Sequence, residues 1–372
     1  MENYIKRELF PTLLKGLSES FISVIIGPRQ TGKTTILKKL ISELKSQGVS
    51  EKNILSYNFD QIELKNSIKQ NPNNLIKNIE SSLNRALSSV AEKTYLFFDE
   101  ARKIPEAFDI IKIIHDEYGQ FFKVVISGSS SLNLYQRSAE SLAGRVRFFY
   151  FSPFSWRELV THYFSLGQDM SLITQSLKHG LTYETYLASQ QNLYRRKNEI
   201  HLIWNNYLLS GGLPEIFLTE DIEKKELALR DYLATYLEKD IRYLRTVKDA
   251  DIFSSTLNFF LQNDAKLINL SSLSTDASVQ RLTLKKYLQI LEDTFLVKQL
   301  FPFTKISHQA VKSPKLYFFD HGLVNYQKKI YSLEQLEASE ALGTVFENII
   351  VNNTIAHFAN DPMPPWINFW RD

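Results

Sequence analysis

Between Phe21 and Phe151 five short apolar runs alternate with longer stretches whose apolar residues recur every three or four positions. The runs FISVII, NILSYNF, YLFF, FFKVVIS and VRFFYF have the length and continuity of strands buried on both faces. Between them KTTILKKLISELKSQ, NLIKNIESSLNRALSSVAEK and AFDIIKIIHDEY carry the helical period. That order predicts an α/β unit, a parallel sheet with helices on both faces. After FSPFSWRELV the strand signal stops, and residues 156–247 predict helices broken once, at SGGLPEIF. Within them Leu166–Asn198 is polar and irregular and reads as an insertion.

From residue 250 the pattern gives a helix DIFSSTLNFFLQ, a short helix NLSSLS, a long helix SVQRLTLKKYLQILED and an extended FLVKQLFPF. Three helices and a hairpin-like run are the order of a winged helix-turn-helix. SPKLYFFDHGLVN, GTVFENIIVNNTIAHF and WINFWRD then predict strand, helix, strand. On the long helix Val279, Leu282, Leu284, Leu288 and Leu291 form an apolar face. Gln280, Arg281, Lys285, Lys286 and Gln289 point outward, a set that suits phosphates and base edges of duplex DNA. The set is small and no arginine-rich arm adjoins it, which favours a module that packs on the preceding helices.

A chain of 372 residues exceeds one typical core and predicts two or three domains. Its 44% hydrophobic and 23% charged residues are those of an ordinary globular protein. The formal net charge of +3 leaves any nucleic-acid affinity to a local patch. Absence of cysteine excludes disulfides, thiol nucleophiles and cysteine zinc sites and fits a cytoplasmic protein. MENYIKRELF lacks an apolar signal core and FISVII is too short to span a bilayer, so no membrane partner is expected. The seven histidines are scattered without a ligand spacing.

The chemistry concentrates in VIIGPRQTGKTT, where Gly27, Gly32, Lys33 and Thr34 fit G-x-x-x-x-G-K-[ST] between an apolar strand and an amphipathic helix. Glycine lets backbone N–H groups turn inward around a β-phosphate, and the helix N-terminus adds a favourable dipole. Lys33 reaches the β/γ oxygens and Thr34 offers a hydroxyl to Mg²⁺. The candidate ATP-binding set is therefore Gly27, Pro28, Gln30, Thr31, Gly32, Lys33, Thr34 and Thr35. YLFFDE ends a strand in Asp99, placed to hold Mg²⁺ with Thr34, and Glu100, placed to polarise an attacking water. VVISGSS ends another with Ser127 and Ser129, where a hydroxyl senses a γ-phosphate or orients the water; a serine turn capping the next helix explains them equally. Leu132 stands where a hydrolase elbow would need glycine. Arg145 in LAGRVRFF precedes the last run, the place of an arginine offered to the γ-phosphate of a neighbouring copy, which implies a homo-oligomer; a surface arginine is the alternative. Arg147 is the fallback candidate.

GPRQTGKTT, LFFDEARKIPEAFDIIKIIHDE, ISGSSS, LAGRVRFFYFSPFSWREL, GGLPE and SPKLYFFDHGL together resemble the prokaryotic AAA+-type ATPases that carry a C-terminal domain of unknown function related to PD-(D/E)xK nucleases. The resemblance spans nearly the whole chain. It implies a P-loop ATPase domain over 1–155, a helical lid over 156–248, a winged helix over 249–310 and a nuclease-like α/β unit over 311–372. It assigns MgATP to Lys33, Thr34, Asp99 and Glu100, a polar residue to Ser127 or Ser129, and the finger to Arg145. GGLPE is similar to the Gly-x-Pro motif of switch-type ATPases, which implies Pro214, with Gly212 before it, against the adenine; a helix-breaking loop is the alternative. Family members continue past a WRD-like segment to further carboxylates, so the nuclease-like unit is expected to be truncated after Asp372. Glu347 alone does not make a metal cage, and no nuclease activity is expected of this chain. The expectation is MgATP hydrolysis coupled to movement of the C-terminal domains. Its rival is a nucleotide-gated DNA- or protein-binding switch with little turnover.

Overall fold

The computed structural model describes residues 4–129, 142–164, 180, 182–184, 194–237, 250–276, 279–303 and 313–371; most of the polar segment Leu166–Asn198 lies outside them. Each of the five apolar runs forms a strand: β1 (Ile22–Gly27), β2 (Ile54–Asn58), β3 (Thr94–Asp99), β4 (Phe122–Ser129) and β5 (Val146–Tyr150). They make one parallel sheet in the order β2-β3-β4-β1-β5. Between β4 and β5, β1 is buried at every position, hence its unbroken apolar run.

The two-residue period then sorts side chains to opposite faces. Ile22, Val24 and Ile26 join Leu96, Phe98, Val124 and Ile126 on one, and Ile25, Phe97 and Val125 take the other. The first face is covered by α3 (Ile62–Gln70), α4 (Asn74–Leu83) and α5 (Ala107–Tyr118). α1 (Phe10–Gly16) and α2 (Lys33–Ser46) cover the second, α2 through Ile36, Leu37, Leu40 and Leu44, each burial stabilising by about 2 kcal/mol. α4 stops at Leu83, short of the expected run through NRALSSVAEK, because Asn84 turns left-handed at φ 52° and closes the helix.

Further along lie α6 (Trp156–Phe164), α7 (Lys197–Ser210), α8 (Pro214–Leu218) and α9 (Ile222–Thr235), helical as the pattern predicts. α10 (Ala250–Gln262), α11 (Leu270–Asp276) and α12 (Arg281–Asp293) precede β6 (Val297–Leu300), which pairs antiparallel with β7 (Lys315–Phe318). This pairing crosses the boundary expected at residue 310: Leu316 and Phe318 of β7 share one core with Leu257, Leu288 and Leu291. On α12 the apolar face differs from expectation, since Leu282 is 73% exposed and Tyr287 takes the buried place. The final α13 (His321–Gln327), α14 (Leu333–Ala338) and α15 (Leu342–Phe358) follow. WINFWRD forms one bridge, Phe369 to Pro302, where a strand was expected.

α15 and the turn after it fasten the units together with asparagines. Asn348 and Asn352 donate to the Phe318 carbonyl at 2.9 and 2.6 Å, and Asn353 accepts from the Trp156 N–H at 2.6 Å. Asn360 accepts from the Tyr150 N–H and donates to the Tyr150 carbonyl, at 2.8 and 3.0 Å, on the outer side of edge strand β5.

At the opposite end of the sheet, Lys123 of β4 donates to the carbonyls of Phe21 and Glu19 and lies 4.3 Å over the Phe21 ring. Burial lowers its amino group from 10.5 to about 7. An unfolded lysine stays charged through that interval, so the burial cost is complete below pH 7 and fades as pH rises toward 10.5. Urea unfolding at about pH 7 and about pH 9.5 should therefore show the wild type gaining stability relative to Lys123→Met at the higher pH. An unchanged gap would contradict burial as the cause.

Candidate functional site

β1 ends in Gly27, whose backbone at φ 154° lies against the Phe151 carbonyl; a Cβ there would sit 2.1 Å from that oxygen. Gly32 opens α2 at φ 98°, in the left-handed region open to glycine. Between them Pro28 and Thr31 are buried, while Gln30 turns left-handed at φ 57° on the surface. The loop encloses its lysine. Lys33, 6% exposed, donates to the Gly27 and Pro28 carbonyls at 3.0 and 2.5 Å, and the Thr31 hydroxyl donates to the same Pro28 carbonyl at 3.0 Å. Thr34 and Thr35 follow on the exposed side of the first turn of α2.

Parallel register brings the acids to the same edge of the sheet. Asp99 closes β3, and its Oδ2 accepts from the Thr34 hydroxyl at 2.7 Å. Its Oδ1 accepts from the Ser127 hydroxyl and from the Glu100 N–H. Thr34, Asp99 and Ser127, expected together, thus converge. Ser129 lies beside Gly27 in the β4–β1 register, and its side chain falls outside the described residues. Glu100 follows Asp99 at φ 54°, in the left-handed region, and opens the short turn Ala101–Lys103. A hydroxyl beside one carboxylate suits a hard cation that draws its other oxygens from phosphates and water. Among the described residues no group of three or more His, Asp or Glu comes together to hold a metal by itself.

A buried arginine backs the loop. Arg7 donates from Nη1 to the Thr31 carbonyl at 2.8 Å and from Nη2 to the Ser152 and Pro153 carbonyls at 2.6 and 3.3 Å. Its Nε pairs with Glu158 of α6 at 2.9 Å, both side chains 5% exposed, and its Cζ lies 4.0 Å from the Phe151 ring centre. The next residues pair the other way, Glu8 with Arg157 at 2.9 Å. Burial raises the Glu8 carboxyl. Two Arg-Glu-Leu tripeptides, 7–9 and 157–159, therefore clasp reciprocally, with Leu9 and Leu159 buried. The pattern analysis missed this pair. Its signal in the sequence is the same Arg-Glu-Leu order recurring in KRELF and WRELV.

Arg145 is not brought to the loop within one chain. It precedes β5, whose first residue pairs with Ile22 at the start of β1, whereas the phosphate loop leaves the far end. Five residues of strand put them about 16 Å apart. The guanidinium there pairs with Asp116, Nη2 to Oδ2 at 2.9 Å, and Arg147 pairs with Glu19 at 2.8 Å. Pro214 opens α8 half-buried, after glycines anchored elsewhere: the Gly212 N–H donates to Asp320 at 2.7 Å and its carbonyl accepts from Phe154 at 2.7 Å. Asp320 is buried, which raises its carboxyl despite the His321 charge and the N–H groups of Gly212, Gly322 and Leu323. Glu347 accepts from Lys315 and from the Tyr317 hydroxyl, both at 2.6 Å.

A parallel sheet whose interior strand β1 runs into a glycine-flanked lysine loop, with an acid closing a nearby strand, has the arrangement of a P-loop fold. Residues 19–160 match the family model described as AAA domain. Residues 202–334 match a second, described as Domain of unknown function (DUF8612). Three relatives are similar over most of the chain, each named only as uncharacterized. One from Mycobacterium tuberculosis is 26% identical over 97% of this chain and 68% of its own length. One from Haemophilus influenzae is 24% identical over 87% and 72%, and one from Methanocaldococcus jannaschii 23% identical over 88% and 65%. A solved structure titled DNA replication initiation factor is similar at 14% identity over 89% of this chain and 96% of that one, with a TM-score of 0.32, too low to bear on function. Among the described residues no helix is long and apolar enough to cross a membrane.

Proposed function

We propose that the chain is an AAA+-type ATPase that binds MgATP at the loop Gly27–Thr35, hydrolyses it, and couples hydrolysis to movement of the units that follow. One observation carries this reading: Lys33, Thr34, Asp99 and Ser127 converge at one sheet edge with Glu100 next in the chain. Loop N–H groups and the α2 N-terminus receive the β-phosphate, and Lys33 exchanges its two loop carbonyls for phosphate oxygens. Thr34 and Asp99 would hold Mg²⁺, which supplies charge neutralisation between the phosphates. Ser127 fixes one oxygen of Asp99, and Glu100 orients the attacking water. Pro214 packs on the adenine. Arg145 completes the site only from a neighbouring copy, so the reading includes a homo-oligomer. The absence of cysteine fits the cytoplasmic setting this reading includes.

Glu100→Gln tests it. The variant should bind ATP within about threefold of wild type and lose turnover by roughly a hundredfold or more. Hydrolysis at the wild-type rate would remove Glu100 from the mechanism. In the same assay, a rate per chain that rises with protein concentration supports Arg145 in trans, and a flat one opposes it.

A second reading is a nucleotide-gated binder of duplex DNA with little turnover. It is favoured by the exposed side of α12, where Arg281, Lys285, Lys286 and Gln289 lie outward in a three-helix and two-strand unit of winged-helix order. Salt-dependent DNA binding that changes with an ATP analogue would support it, and none at low salt would end it.

A further inference from the structure

We propose that Arg7 is a positioning residue that ties the state of the phosphate loop to α6, the first helix beyond the parallel sheet; this rests on nucleotide binding at Lys33. The contacts form an unbroken chain. Lys33 and the Thr31 hydroxyl share the Pro28 carbonyl, the Thr31 carbonyl accepts from Arg7, and Arg7 pairs with Glu158 of α6. Glu158 is itself fixed to its helix start, accepting from the Ser155 N–H at 3.0 Å, and to the N-terminal segment, accepting from the Glu8 N–H at 2.8 Å.

The first link can be exchanged. Lys33 donates to the Pro28 carbonyl, and a bound triphosphate would draw that charge to its own oxygens. Released, the Pro28 carbonyl and Thr31 re-pair, and that motion reaches the Thr31 carbonyl on Arg7. A buried guanidinium does not give up a partner cheaply, since an uncompensated buried charge is strongly destabilising. Arg7 must follow Thr31, and Glu158 with the start of α6 must follow Arg7. The fork of the guanidinium is essential, because three nitrogens serve acceptors on the loop, the β5 exit and α6 at once. A lysine has one nitrogen and reaches only part of that set. The outer pair Glu8–Arg157 belongs to the clasp, and no described hydrogen bond of Glu8 reaches the loop.

Hydrogen exchange of the full chain, with and without saturating Mg²⁺ and a slowly hydrolysed ATP analogue, separates these roles. In wild type the analogue should slow exchange over both 27–35 and 156–164. In Arg7→Lys it should still protect 27–35 but lose roughly tenfold of the protection at 156–164, an ordinary size for coupling between sites. Glu8→Gln, which weakens the clasp at its outer pair, should behave as wild type. Equal α6 protection in wild type and Arg7→Lys overturns the proposal, as does an equal loss in Glu8→Gln. An analogue that leaves 27–35 of the wild type unprotected overturns the nucleotide reading and this proposal with it. Should Arg7→Lys fail to fold, Glu158→Gln carries the same expectation, since it keeps the shape and removes the charge.

Discussion

Lys33→Ala is expected to abolish nucleotide binding while the chain still folds. The amino group is enclosed and donates to two loop carbonyls, contacts that a triphosphate would displace. Removing it withdraws the loop cation assigned to the β/γ charge, and charge-assisted contacts are about twice as strong as neutral ones. A loss of at least a hundredfold in affinity corresponds to about 2.7 kcal/mol, within the reach of one desolvated charge. The released Gly27 and Pro28 carbonyls would cost about 1 kcal/mol or more each, so a modest fall in melting temperature should accompany the loss. Titration calorimetry with ATP and Mg²⁺ measures the first effect and circular dichroism the second. Binding within about threefold of wild type would sink the phosphate-loop reading.

Asp320→Ala should give the largest loss of stability. The carboxylate accepts from the N–H groups of Gly212 and Gly322 at 2.7 and 2.9 Å and from Leu323. It fills a cradle in which a Cβ on Gly211 would lie 2.1 Å from its Oδ1. Alanine leaves three buried donors unpaired at about 1–3 kcal/mol each, roughly 3–9 kcal/mol in all. That corresponds to a fall of about 10 °C in the thermal midpoint for a chain of this size. Asp320→Asn keeps one acceptor oxygen and should lie between. A midpoint for the alanine variant within about 2 °C of wild type would mean that the GGLPE loop is held by packing alone.

The parallel sheet was legible because its signals are local. Strands buried on both faces must be continuous apolar runs, and the loop chemistry sits within eight residues of β1. Asp99 and Ser127 were readable for the same reason, each closing a run whose end lies at the ligand edge of a parallel sheet. The geometry of Arg145 was readable in principle. A residue that precedes a parallel strand must lie opposite the edge where β1 releases its loop. What pattern does not carry is pairing at long range. Arg7 finds Glu158 across 151 positions, and Asp320 finds Gly212 across 108. No local period encodes either. The α12 face was misjudged because Leu282 continued an apolar pattern that tertiary packing leaves in water, giving its place to Tyr287. The pairing of β6 with β7 across residue 310 is equally invisible to local pattern, since a strand's partner is chosen by the sheet and not by its neighbours in the chain.

The side-chain amide of Asn360 imitates a peptide group. It donates and accepts on the outer side of β5 as a sixth strand would at Tyr150, and then the chain turns away. An open sheet edge is a template for pairing with other chains. A single amide terminates the template at its ligand end while adding no backbone that could propagate it. Copies of this protein that assemble there must do so through side chains, because a strand added at Tyr150 would first have to evict Asn360 and lift the end of α15 with it.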